Sequence, residues 1–141
     1  MANGRKKPPN LCKRCKGKKG PKYQNRRYCG KCIPQVQQEN RNRAHRKSVA
    51  KRYNMDVGAY DRILERQEGF CPICLRANGK TRRLSVDHDH ACCPTTPTCG
   101  KCVRGLLCRP CNNMLGHGRD DPEFFKRAAE YLRNPPAKGL V

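Results

Sequence analysis

Residues 84–90 read LSVDHDH and residues 103–116 read VRGLLCRPCNNMLG. These two stretches decide the fold. LSV at 84–86 is expected to form a short strand running into Asp87-His88-Asp89-His90. VRGLL at 103–107 is expected to form a second strand, leading into Cys108-x-x-Cys111. A helix should begin near Asn112 and fade at Gly116–Gly118. In an ideal strand Asp87 and Asp89 face one side and His88 and His90 the other. Asp87 and His88 therefore share a site only where the strand ends or twists. Carboxylate and amide oxygens are hard ligands suited to Mg2+ or Mn2+, which makes Asp87 and Asn112 candidates. Neutral histidine can take a proton from water near pH 7. A base, a divalent ion and a basic surface together describe phosphodiester hydrolysis. The alternative is that His88 or His90 is a further zinc ligand and no catalysis occurs.

Cysteines surround this run. Cys71-x-x-Cys74 opens the module and Cys108-x-x-Cys111 closes it, a spacing suited to a closed tetrahedral zinc site. Such a site ties the start of the module to the start of its helix. It also fixes the position of Asn112, the neighbour of a ligand. Between the strands, ACCPTTPTCGKC at 91–102 adds Cys92, Cys93, Cys99 and Cys102. Cys99-x-x-Cys102 has ligand spacing and Cys92 or Cys93 can join it, giving a possible third zinc. Adjacent cysteines chelate one ion awkwardly, so His90 is a further candidate ligand there.

Outward from the module, Tyr60, Ile63, Leu64 and Gln67 recur at helical spacing, predicting a helix over 57–67 with Asp56 as N-cap and Glu68-Gly69 as its stop. Pro34 can open a longer helix running to about Tyr53. Its sequence has no convincing apolar stripe, which suits a basic spacer that touches phosphates; His45 reads as a surface residue. Downstream, Asp121 and Pro122 predict the start of a last helix. Phe124, Ala128 and Leu132 would line its stripe, with Phe125 and Ala129 alongside, as cover for the core. Asn134-Pro135-Pro136 stops it.

Near the N-terminus, Cys12-x-x-Cys15 and Cys29-x-x-Cys32 form another four-cysteine set. The polar segment between them needs metal to fold. Tyr23 and Tyr28, among Lys22, Arg26 and Arg27, suit nucleic-acid contact.

The whole chain has 141 residues, 12 of them Cys, with 32 Lys and Arg against 11 Asp and Glu and a net charge of +21. Residues 1–56 hold 18 of the basic residues against Glu39 and Asp56 alone. Such a field attracts phosphate backbones, so nucleic acid is the expected partner. The hydrophobic fraction of 35% is too small for one large core. No apolar run approaches the roughly 18 residues of a membrane span. The N-terminal residues lack a hydrophobic stretch, so no secretory signal is expected. Reduced thiols that bind zinc are then expected in preference to disulfides.

FCPIC at 70–74, LSVDHDH at 84–90, VRGLLCRPCNNMLG at 103–116 and DPEFFKRAAEYL at 121–132 resemble, in order and spacing, the phage recombination endonuclease VII family of HNH, or His-Me finger, nucleases. YNMDVGAYDRILERQEGFCPIC also resembles that family's helical lead-in. The resemblance implies a ββα-metal fold, a hairpin and a helix clasping one catalytic Mg2+ or Mn2+. It implies that Asp87 and Asn112 hold the ion, that His88 activates water, and that His90 contacts phosphate or helps the leaving group. Cys71, Cys74, Cys108 and Cys111 match the structural zinc ligands. Arg104 lies near the hairpin and is a candidate phosphate clamp, the alternative being a plain surface arginine.

The expected fold class is thus a small zinc-stabilised α+β protein. Its expected organisation is a disordered basic arm (1–10), a zinc ribbon or knuckle (11–33) and a helical basic linker and lead-in (34–68). A ββα-metal endonuclease domain (69–133) and a flexible tail (134–141) follow. The expected function is a metal-dependent endonuclease on branched or junction DNA, phage-encoded and cytoplasmic in a bacterial host. The alternatives are a site-specific HNH nuclease on linear duplex DNA and a non-catalytic zinc nucleic-acid-binding protein. A homodimer is possible, but the short helical stretch after Gly116 does not supply the long intertwined region of the family's junction-resolving member.

Overall fold

The computed structural model describes residues 10–24 and 26–140. All but Asn10 of the expected basic arm lies outside the described residues. The chain divides into two compact units, one ending at Ser48 and one beginning at Val49.

In the first unit, Cys12, Cys15, Cys29 and Cys32 converge. A 3-10 turn over Pro21–Tyr23 lies between the two cysteine pairs. Lys19 is buried, and its ammonium donates to the carbonyl oxygens of Gln24 and Arg26 at 3.0 and 2.7 Å. These bonds satisfy a cation in a unit that has almost no apolar interior. Arg14 makes a forked pair with Glu39, at 2.7 and 2.8 Å. Helix α1 (Ile33–Tyr53) follows directly from Cys32 and buries no side chain, as its lack of an apolar stripe predicts.

The second unit is an α+β assembly. After α1 come helix α2 (Ala59–Arg66), strands β1 (Ser85–His88) and β2 (Val103–Leu107), and helices α3 (Arg109–His117) and α4 (Pro122–Arg133). β1 and β2 pair antiparallel, Ser85 opposite Leu107 and Val86 opposite Leu106. Tyr60, Cys71, Leu84, Val86, Leu106, Leu107 and Cys111 form the core. Two of these seven are candidate metal ligands, so the core and the cysteine cluster are continuous.

α2 begins later than the sequence reading placed it. Gly58 is its N-cap, and Asp56 instead accepts from the Gly58 N–H at 2.9 Å and pairs with Arg62. This Asx turn uses the side chain before the helix starts. Glu68 and Gly69, both at positive φ, end the element. Gln67, grouped by spacing with the apolar stripe, has a polar role. Its side-chain amide accepts from Leu106 N and donates to Leu106 O, both at 2.8 Å. It satisfies the open edge of β2 as a third strand would.

α3 also starts three residues before the expected Asn112. Cys108 is the N-cap and Pro110 lies in the first turn, where a missing N–H costs nothing. The first turn therefore contains both Cys111 and Asn112. α4 begins as expected, with Asp121 accepting from Glu123 N at 2.8 Å. Its expected role as core cover is not what the structure gives. Phe124, Ala128 and Leu132 are exposed, and only Phe125 and Ala129 are half-buried. Phe125 and Phe124 close over Gly118, where an added Cβ would sit 2.3 Å from the Phe125 ring. Past the helix, Lys138 N donates to Pro135 O and Leu140 N to Ala137 O in successive turns.

Leu106 is fully buried at the centre of the hairpin. Leu106→Ala should lower the unfolding free energy of the zinc-loaded protein by about 2–5 kcal/mol in urea titration. A cost near zero would show that the cysteine cluster alone holds the second unit.

Candidate functional site

The site is built on an irregularity in the hairpin. Asp87 pairs with Gly105 but His88 pairs with Val103, so Arg104 is an extra residue on β2 at that point. Such a bulge twists the strands and re-aims side chains. Val86, Asp87 and His88 are consecutively buried, and strict alternation is lost where the sequence required it.

The Asp87 carboxylate is 6% exposed and accepts a fork from Arg104, Nε at 2.8 Å and a terminal nitrogen at 2.9 Å. That terminal nitrogen also donates to Asp120 at 3.0 Å. The other Asp120 oxygen lies 3.2 Å from His90 Nδ1. The His90 ring centroid is 4.5 Å from that of His88. Asp87 and His88 are thereby joined through Arg104, Asp120 and His90. The Asp87 carboxylate holds Arg104 firmly cationic. Burial pushes the Asp120 carboxyl up, but bonds from Arg104 and His90 outweigh it and hold it below the usual range. Asp87, Arg104 and Asp120 line a pocket of about 890 Å³.

His88 is buried, with Tyr53 edge-on at 5.7 Å. Its Nε2 lies 3.1 Å from the Cys93 carbonyl oxygen. A carbonyl only accepts, so Nε2 carries a hydrogen, and in the neutral ring Nδ1 is the nitrogen with the lone pair. The Asp89 side chain accepts from Ala91 N at 2.8 Å and shapes the turn out of β1. Asn112 lies in the first turn of α3, the helix that packs on β1. Its Oδ1 is buried and, among the described residues, has no hydrogen-bond partner. Such an oxygen, near a carboxylate-bearing strand, fits a hard divalent cation as its missing partner.

Twelve cysteines gather into three sets of four: Cys12, Cys15, Cys29, Cys32; Cys71, Cys74, Cys108, Cys111; and Cys92, Cys93, Cys99, Cys102. Within each set all the sulfurs lie within 4.8 Å of one another. Cys15–Cys29 and Cys74–Cys108 are 3.8 Å apart and Cys92–Cys99 3.7 Å. The edge of a zinc–sulfur tetrahedron is about 3.8 Å for bonds of about 2.3 Å, whereas a disulfide needs about 2.0 Å. All three sets could hold zinc. The third would do so with four sulfurs, since His90, the alternative ligand, is directed to Asp120. In each set backbone N–H groups prepare at least one thiolate. Those of Cys15 and Cys29 pull Cys12 down to about 6, and those of Ala77 and Arg76 bring Cys74 to about 6. The Lys101 N–H holds Cys99 down to about 7. Sulfur neighbours do the reverse: Cys29 pushes Cys32 up to about 12, and Cys99 pushes Cys92 up to about 12. A central dication is what allows all four thiols of a set to deprotonate together.

In the first unit, Tyr28 joins Lys13, Arg14, Arg43 and Arg46 along a groove of about 520 Å³. Tyr23 lies against Gly30 instead. Among the described residues, no helix is long and apolar enough to cross a membrane.

A cysteine-clustered α+β module carrying carboxylates and imidazoles at a bulged hairpin is the class of protein this geometry defines. Residues 44–134 match recombination endonuclease VII, and the chain belongs to that family. It is 52% identical over 90 residues to the gene 59 protein of Mycobacterium phage L5, and 48% identical over 90 residues to that of Mycobacterium phage D29. Each match covers 63% of this chain and 50% of the relative, so the chain spans about half the length of the curated relatives it matches. No solved structure matches it.

Asp120 and Gln67 were not assigned their roles from sequence. Asp120 sits before the helix-capping Asp121, and only its placement after Gly118 in a turn at positive φ hints at a directed side chain. Arg104, a candidate phosphate clamp or plain surface arginine by sequence, is found on two carboxylates. Arg104→Met would leave Asp87 buried and unpaired, and should destabilise the zinc-loaded protein by about 1–3 kcal/mol at neutral pH in denaturant titration. Unchanged stability would mean that Asp87 is hydrated without its guanidinium.

Proposed function

We propose that this protein is a metal-dependent DNA endonuclease that hydrolyses phosphodiester bonds in branched or junction DNA, and that β1, β2 and α3 form a ββα-metal unit. The observation that carries this reading is the unpartnered, buried Asn112 Oδ1 beside a cysteine ligand, on the helix that packs against the strand bearing Asp87. Asp87 and Asn112 would hold Mg2+ or Mn2+. When bound, the ion supplies charge neutralisation at the scissile phosphate and the leaving oxygen.

The chain's own residues do the rest. With Nε2–H committed to the Cys93 carbonyl, His88 presents Nδ1 as the general base and takes a proton from the attacking water. His90, next to His88 and oriented by Asp120, is placed to contact phosphate or assist the leaving group. Arg104 has a second anchor on Asp120, which keeps it near the pocket when its fork on Asp87 opens. The basic groove of the first unit, with Tyr28 among arginines, suits a phosphate backbone. The likeness to phage proteins supports a phage origin.

The test compares a four-way junction with linear duplex of matched sequence, with and without added magnesium, beside His88→Ala. Magnesium-dependent cutting, lowered by His88→Ala about 100-fold or more, and preference for the junction are expected. Equal cutting of linear DNA would move the protein to the site-specific or general HNH reading. DNA binding by zinc-loaded protein without any cutting would overturn catalysis.

A further inference from the structure

The loop between β1 and β2 holds the third cysteine set, and its backbone is bonded to the candidate site at several points. The Cys93 carbonyl oxygen lies 3.1 Å from His88 Nε2. Cys93 N donates to the Asp89 carbonyl at 2.9 Å, and Asp89 N donates to the Cys102 carbonyl at 2.9 Å. Two sulfur-bearing residues thus bracket the residue that follows His88. On its other side the loop is docked on the end of α1. Thr98 N donates to Arg52 O at 3.1 Å and Thr98 Oγ1 to Tyr53 O at 3.0 Å. Gly100, at φ +83, lies so close to Asn54 that an added Cβ would be 2.3 Å from its carbonyl oxygen. Tyr53 is the residue whose ring meets His88 edge-on.

The loop sequence ACCPTTPTCGKC offers no aliphatic side chain larger than alanine and proline, and Cys92 and Cys99 are exposed. Hydrophobic burial cannot hold such a segment in one conformation, while four sulfurs within 4.8 Å can do so around a cation. We propose that Cys92, Cys93, Cys99 and Cys102 bind a zinc ion that positions His88, by fixing the Cys93 carbonyl on Nε2 so that Nδ1 faces the reaction. Cys93 is a positioning residue acting through its backbone, and the zinc is a buttress to the site. The inference rests on the reading of His88 as general base and deepens it.

The experiment uses the full chain, metal analysis, long-range 1H–15N spectra of the histidine rings, and cleavage kinetics. The wild type should hold three zinc ions per chain and show His88 as the Nε2–H tautomer. Cys92→Ser/Cys99→Ser should hold two zinc ions, show averaged His88 nitrogens, and lose about 10–100-fold in kcat with KM for DNA unchanged. Two retained zinc ions report that the rest of the chain is folded. Cys92→Ser alone leaves three sulfurs and weaker binding, so its kcat and its Nε2–H signal should rise together as zinc is titrated. A wild type with only two zinc ions overturns the proposal. So does a double variant that loses one zinc yet keeps the tautomer and kcat, or a single variant whose kcat ignores zinc occupancy. A wild type with three zinc ions and the Nε2–H tautomer that cuts no DNA overturns the nuclease reading instead, and leaves the zinc–tautomer link standing.

Discussion

The second unit depends on the meeting of Cys71 and Cys74 with Cys108 and Cys111. Among the described residues its sheet has two strands and its core seven residues, and a two-stranded ribbon is marginal on its own. Cys71 and Cys111 are themselves part of that core, so a zinc ion held there would act on the same atoms that burial acts on. The set joins the chain ahead of β1 to the N-terminus of α3. Leu106 fills the space between, and Gln67 closes the edge of β2. These contacts hold the first turn of α3, where Asn112 Oδ1 is buried and, among the described residues, without a hydrogen-bond partner.

The chain separates soft from hard ligands. Sulfurs gather in closed sets of four, where a zinc ion would need no water and do no chemistry. Oxygens and imidazoles are left to the hairpin and the turn after α3. Asp87 and Asp120 share one guanidinium, which offsets two carboxylates that would otherwise repel each other in a half-buried site. Elsewhere the charge is strongly positive, with the groove of Arg14, Arg43 and Arg46 in the first unit. A polyanion is attracted to the surface, while a cation is favoured at the carboxylates.

The cysteine spacing was the most legible part of the sequence, because a knuckle needs only four residues and its ligands are adjacent in the chain. The strands and the cap of α4 were legible for the same reason, that their signals are local. Gln67 was not, since spacing placed it with Tyr60 and Ile63 and only the open edge of β2 shows what its amide does. α3 began earlier than expected because Pro110 was not weighed as a first-turn residue. The stripe Phe124, Ala128 and Leu132 has helical period, yet periodicity does not say whether anything covers it, and here those residues are exposed. Asp120 was illegible because its role depends on Arg104 and His90, both distant in sequence.

The register shift at Asp87 and His88 carries the largest consequence that no local signal announced. A regular hairpin would put Asp87 and His88 on opposite faces and keep Arg104 in the ladder. The bulge does three things with one residue. It buries Asp87 and His88 together, it frees Arg104 from pairing, and it sets that guanidinium against both Asp87 and Asp120. β1 ends at His88, and the loop that follows returns a carbonyl to that same ring. The irregularity that weakens the sheet is thus the feature that assembles the site, and the cysteine sets on either side are what allow so small a sheet to carry it.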